Sequence, residues 1–260
     1  MLKSTFFTIT LFFGGLAMSH FVPPDDIQSG TQVIANITLP LTPTITKALK
    51  FARANMDNQT YNHVLRSWLT AQASLFHLPA SVQKGVDIEV LAVSTILHDL
   101  GWSNNSALIS ADKRFEVDGA EVAREFLKRE GEGNWNERRI QLVWDAIALH
   151  TTRDISLYKE REVWLTSLGI LAELVGPEVA INLIGPGRIA VTQKEWDEIA
   201  AEYPRQGFRS FFNGVMIGFC ASKPKTTYQN FMGDYGEKFL EGYSRDGKKM
   251  VDFLDANLLE

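Results

Sequence analysis

Read for its apolar periodicity, the chain is a succession of helices. Thr42 followed by Pro43 supplies an N-cap with proline at the first helical position, and Ile45, Ala48, Leu49 and Ala52 recur at i, i+3, i+4 and i+7. A second helix runs through TYNHVLRSWLTAQASLF (60–76). A third runs through DIEVLAVSTILHDL (87–100), where Asp87 can cap and apolar residues cover nearly every side. That third helix belongs at the centre of the fold. Asp118 leads into GAEVAREFLKRE, closed by Gly131, and NERRIQLVWDAIALH carries Ile140, Val143, Trp144 and Ile147 on one face. EREVWLTSLGILAELVG is another apolar helix, stopped by Gly176-Pro177, and Thr192 with Glu195 forms a capping box for QKEWDEIAAEY. The last sixty residues predict two or three more helices around the turn KPKTT. Alternating, strand-like runs are almost absent, so the pattern predicts an all-α protein with one domain over 42–260.

The N-terminal end departs from this pattern. MLKSTFFTITLFFGGLAMSH has one basic residue, Lys3, an apolar stretch, and then Ala17-Met18-Ser19, the small-x-small pattern of a cleavage site. It is too short to span a bilayer and predicts a signal peptide over 1–19, cut near Ser19, and a secreted protein. A cytoplasmic or N-terminally anchored chain is the alternative. Residues 20–41, rich in breakers, predict an irregular arm. Three sequons begin at Asn36, Asn58 and Asn104 and would be usable on export.

Composition narrows the function. A chain of 260 residues, 45% hydrophobic and 22% charged, can bury a large core, and its net charge of −5 lacks the basic surplus that nucleic-acid binding needs. The single cysteine, Cys220, excludes an intrachain disulfide and a thiolate metal cluster. A small-molecule substrate is the expected partner, with no stable membrane span, and the oligomeric state stays open.

The chemistry concentrates in a few histidines. His63, His98 and His150 fall on apolar helix faces, whereas His77 lies in the loop-like FHLPAS and reads as a surface or helix-end residue. His98 and Asp99 are adjacent at the end of the most apolar helix. An ionised carboxylate is costly there unless a cation or several donors compensate it. A divalent metal does so directly, and imidazole with carboxylate suits zinc, iron or manganese. A helix-end hydrogen-bonded pair is the competing reading.

Six ordered motifs then carry a resemblance: YNHVLRSW (61–68), ILHDLGWS (96–103), RFEVDGA (114–120), WDAIALHTT (144–152), TSLGI (166–170) and KPKTTYQNF (223–231). Over about 42–242 the chain resembles the fungal cyanamide hydratases and their relatives in the HD-domain superfamily. The resemblance implies an all-helical HD fold holding one divalent metal, Zn²⁺ before Fe²⁺ or Mn²⁺, with His63, His98 and Asp99 at three ligand positions. The fourth position, aspartate in the family pattern, is Glu173 here, within LGILAEL. Glu173 as ligand, Asp154 as its substitute, or a site without metal affinity are the three outcomes open. His150 and Asp118 correspond to positions near the metal, where they would orient substrate and shuttle protons.

The activity so implied is a metal-dependent hydro-lyase reaction, water added to a small cyano compound as in cyanamide to urea. Trp68, Trp102 and Trp144 could wall a small pocket for it. Two other readings stand beside it. One is an HD-type phosphohydrolase acting on a nucleotide or phosphate ester, for which Arg66, Arg114 and Arg153 are the available cations. The other is a secreted HD-like protein with a degenerate site.

Overall fold

The computed structural model describes residues 30–131 and 133–259. The expected signal peptide, its cleavage site and the first part of the arm lie outside the described residues.

From Gly30 the chain forms an antiparallel hairpin, β1 (Gly30–Ile34) and β2 (Ile37–Leu41), joined by Ala35 and Asn36 at φ 47° and 60°. Two positive-φ residues make the tight turn that matches strand twist. The irregular arm expected over 20–41 is thus corrected over 30–41. Ile37, Leu39 and Leu41 alternate with Thr38 and Pro40 and are buried in the core, a period-two signal that the breaker-rich run before it obscured.

Helices make up the rest. They are α1 (Pro43–Asn55), α2 (Asn58–His77), α3 (Ala80–Gln83), α4 (Ile88–Leu97), α5 (Phe115–Glu130), α6 (Glu137–Ala148) and α7 (Arg153–Ser156), continued by α8 (Arg161–Val175), α9 (Pro177–Ile184), α10 (Gln193–Glu202), α11 (Phe208–Ser222), α12 (Met232–Phe239) and α13 (Met250–Asn257). Their starts follow local chemistry. Thr42, Asp57 and Asp87 each accept a hydrogen bond from the third backbone N–H of the helix they precede, and Thr192 with Glu195 closes the capping box of α10. The all-α class holds, and α4 is central: Val90 to Leu97 are all buried, packed among α1, α2, α6 and α8. Among the described residues no helix is long and apolar enough to cross a membrane.

Close backbone approaches fix where α4 stops. The sequence pattern carries the helix to Leu100, but it ends at Leu97, and Leu100–Trp102 form a 3₁₀ turn. Gly101 lies against the start of α5 so closely that a Cβ there would stand 2.0 Å from the Phe115 carbonyl oxygen. Gly119 does the same from α5, 2.9 Å from the His98 carbonyl oxygen. Across the molecule Gly169 lets α8 meet α2, where a Cβ would stand 2.5 Å from that of Ala71. These contacts bring His63, His98, Asp99 and Glu173, from three helices, to one place.

Candidate metal centre

His63, His98 and Asp99 are buried and offer one ligand atom each, all within 4.8 Å of one another. The ring orientations are set from behind. His98 Nδ1 lies 2.9 Å from the Thr95 carbonyl, which can only accept, so Nδ1 carries the proton and Nε2 a lone pair. His63 Nδ1 donates to Glu173 Oε2 at 2.8 Å, and its Nε2 is likewise an acceptor. The two Nε2 atoms face each other at 3.3 Å, with Asp99 Oδ2 at 3.1 Å from one and 3.3 Å from the other. Neither contact to Asp99 has hydrogen-bond geometry, and both oxygens of this buried carboxylate lack a hydrogen-bond partner.

Three acceptors therefore converge with no donor between them, an arrangement that a proton or a cation relieves. Burial alone would depress the His98 imidazole, but Asp99 beside it raises its pKa above the ordinary value. Burial would likewise raise the Asp99 carboxyl, and the imidazoles of His98, His63 and His150 outweigh it and hold it below the usual range. The same pull acts on a divalent cation, with a larger charge. Imidazoles whose far nitrogens are fixed by a carbonyl or carboxylate are how metal-binding histidines are usually held. The donor set fits a divalent metal.

Glu173 occupies a different role from the one expected. Its Oε2 is taken by His63 and its Oε1 by Arg66 Nε at 2.5 Å and by Arg205 Nη1. Burial opposes its ionisation, but His63, Arg66 and Arg205 bring its pKa down from 4.5 to about 2. A carboxylate with both oxygens engaged, on the far side of the His63 ring, orients that ring and is not a fourth ligand in this arrangement. The assignment of Glu173 as a ligand is corrected on that ground. Asp154, its expected substitute, is exposed on α7.

His150 follows the same pattern as His63 and His98. Its Nδ1 donates to the Ile147 carbonyl at 2.7 Å, and its Nε2 faces Asp99 Oδ1 at 3.9 Å. Burial, with the charge of His98 second, lowers its pKa from 6.5 to about 4 and keeps it a neutral base. All four groups, His63, His98, Asp99 and His150, line one cavity of about 310 Å³. Its other walls are mainly apolar, including Trp102, Phe115, Ile170, Leu174, Phe212 and Phe231.

Asp118, expected beside His150 as a catalytic group, does not reach this cavity. It forms a buried ion pair with Lys223 Nζ at 2.8 Å and accepts from Ser110 Oγ at 2.7 Å, tying the loop before α5 to the end of α11. Three polar interactions leave it no free oxygen, and the catalytic assignment is corrected. Of the three tryptophans, Trp102 lines the cavity, Trp68 is core, and Trp144 packs beside Arg124 and Glu121. His77 ends α2 on the surface, paired with Glu195 at 2.8 Å.

Of the three candidate phosphate-binding arginines, Arg66 is held by Glu173 and Arg114 by the buried Glu116, and Arg153 lines the cavity. Arg205 and Lys223 went unnoticed in the sequence. Each acts on a residue more than thirty positions away, and nothing local marks either one. Arg66 was a candidate cation, and its place beside Glu173 has a local signal, since it lies three residues after His63 and shares its helix face.

None of the curated proteins matches the chain at a significant level. Residues 60–174, from α2 to α8, match the family model of the HD domain, and the buried His63–His98–Asp99 triad falls within that match.

Proposed function

We propose that the protein is a metal-dependent hydratase that adds water to a cyano group, converting cyanamide to urea or a nitrile to its amide. The observation that carries this reading is the convergence of three acceptors beside a neutral histidine base in a cavity whose remaining walls are mainly apolar. A divalent cation bound at the triad would supply Lewis acidity, enough to polarise a cyano group or to bring the pKa of water towards about 7. His63 Nε2, His98 Nε2 and Asp99 Oδ2 would hold it, and Glu173 fixes the His63 ring. His150 Nε2 takes a proton from the attacking water and returns it to the substrate nitrogen, for which a base that stays neutral at pH 7 is suited. Trp102 and Phe115 keep bulk water from the reacting atoms. Export through the N-terminal leader is part of the same proposal.

Protein purified without chelator should contain about one divalent metal per chain by mass spectrometry and release urea from cyanamide. Stripping the metal should abolish the activity and adding it back should restore it. Urea production by metal-free protein would sink the mechanism. The second reading, phosphohydrolase, is favoured by Arg153 at the cavity wall. A nucleotide panel assayed in parallel separates the two: turnover of nucleotides and none of cyano compounds would replace the first reading by the second.

A further inference from the structure

The cavity at the triad is much larger than cyanamide. At about 310 Å³ it has room for on the order of ten water-sized groups, whereas cyanamide has three heavy atoms. With cyanamide bound, most of that space would hold water against Phe115, Ile170, Leu174, Phe212 and Phe231, which is unfavourable contact for both. A second feature lies on the same wall. Arg153 is half-buried, and among the described residues its guanidinium has no hydrogen-bond or ion-pair partner, while nearly every other polar group of the lining has a role at the triad or is already bonded. Thr151, its neighbour in the lining, is engaged with Glu116 and Arg114.

We infer that the substrate of this site is an organic nitrile with an aryl or branched-alkyl body of about six to nine heavy atoms and a carboxylate, the body filling the apolar cavity and the carboxylate pairing with Arg153. The inference rests on the hydratase reading and names its substrate class. In the reaction the two carbon–nitrogen π bonds of the nitrile and the two O–H bonds of water are broken, a C=O double bond and two N–H bonds are formed, and both water protons end on nitrogen. The product is the primary amide, with no oxidant or reductant consumed. An arginine fork matches a carboxylate bidentately, and the surrounding apolar wall strengthens that pairing.

The test compares 4-cyanobenzoate, benzonitrile and cyanamide as substrates, and benzoate as a ligand without a cyano group. With metal-loaded protein, kcat/KM should fall at least ten-fold from 4-cyanobenzoate to benzonitrile, and again to cyanamide. Arg153→Ala should collapse the first of these ratios towards one. Leu174→Trp, which fills the cavity, should lower 4-cyanobenzoate turnover at least ten-fold more than cyanamide turnover, and Leu183→Trp, at an exposed part of the lining, repeats the test where folding is not at risk. Calorimetry on metal-free protein should show benzoate binding that Arg153→Ala weakens at least ten-fold. Cyanamide preferred over both aryl nitriles, or benzoate binding indifferent to Arg153→Ala, overturns the inference. If none of the three cyano compounds reacts while benzoate still binds through Arg153, the hydratase reading has failed and the anion-and-aryl pocket has not.

Discussion

Asp99 and Glu173 are both buried carboxylates, and they stand on opposite sides of the same imidazole. Asp99 faces His63 Nε2 with neither of its oxygens hydrogen-bonded, while Glu173 faces His63 Nδ1 with both of its oxygens taken. The protein meets the cost of burying negative charge in two ways. At Glu173 it supplies its own cations, Arg66 and Arg205, and the result is a finished network. At Asp99 it supplies only acceptors, and the corner is complete when a cation enters. A saturated carboxylate positions its neighbour; one left without donors among histidine lone pairs marks a place that could hold a metal.

The largest effect that separates the two corners is on metal and turnover. Asp99→Ala should remove bound metal, read by mass spectrometry, and lower the proposed hydration on the order of 10³-fold or more, because one of the three residues proposed to hold the metal is gone. In metal-free protein the same substitution should cost less urea-denaturation stability than Glu173→Gln, since Asp99 accepts no hydrogen bond and Glu173 accepts several. Glu173→Gln should do the reverse in emphasis. It should weaken metal binding about 10–100-fold through the loosened His63 ring. It should also cost metal-free protein about 3–5 kcal/mol, because Arg66 is left buried beside a neutral amide. Glu173→Asp should also weaken metal binding, whereas a ligand role at this position would have aspartate strengthen it. Tighter metal binding in that variant would erase the contrast drawn between the corners.

How much of this was legible in sequence differs between the two corners for a physical reason. His98 and Asp99 are neighbours at the end of the most apolar helix, so the need for a cation can be read from one short segment, and His63 and His150 can be placed on inward faces from helical spacing alone. The class of fold is equally local, carried by caps such as Thr42, Asp57 and Asp87 and by i, i+3, i+4 stripes. The surroundings of Glu173 and Asp118 are not local. Arg205 lies 32 residues from Glu173 and Lys223 lies 105 from Asp118. Without those partners each carboxylate looks free, and a free buried carboxylate near a histidine reads as a ligand or a base. The hairpin was missed for the opposite reason: its signal was local, in Ile37, Leu39 and Leu41, but short and next to a polar run.

Acid sharpens the contrast next. The Glu173 carboxyl sits at about 2 in the folded protein against 4.5 when free. A depressed carboxylate contributes stability that is fully present above the free value and is lost as pH falls through the folded one. The stability gap between wild type and Glu173→Gln in metal-free protein should therefore be widest above about pH 4.5, on the order of 3 kcal/mol. It should narrow steadily from there towards pH 2. Denaturation midpoints taken in urea at half-unit steps from pH 6 to pH 3 measure this. A gap that stays constant over that range would mean that the Glu173 charge is not what the two arginines and His63 stabilise.

The smallest effect concerns a third buried carboxylate, which belongs with Glu173 and not with Asp99. Asp118 is paired with Lys223 and bonded to Ser110, away from the cavity. Asp118→Asn keeps the shape and both Ser110 contacts within reach and removes the charge that Lys223 sees. The expected cost is about 1–3 kcal/mol of stability, from a buried ammonium with a weaker partner. Turnover should change by less than about ten-fold, as a group that does no proton transfer predicts, where a general acid or base would contribute 10²–10⁴-fold. Measuring kcat at a temperature well below the variant's own melting point separates the two quantities. A hundred-fold loss of kcat in a stably folded Asp118→Asn protein would place Asp118 in the reaction and break its grouping with Glu173.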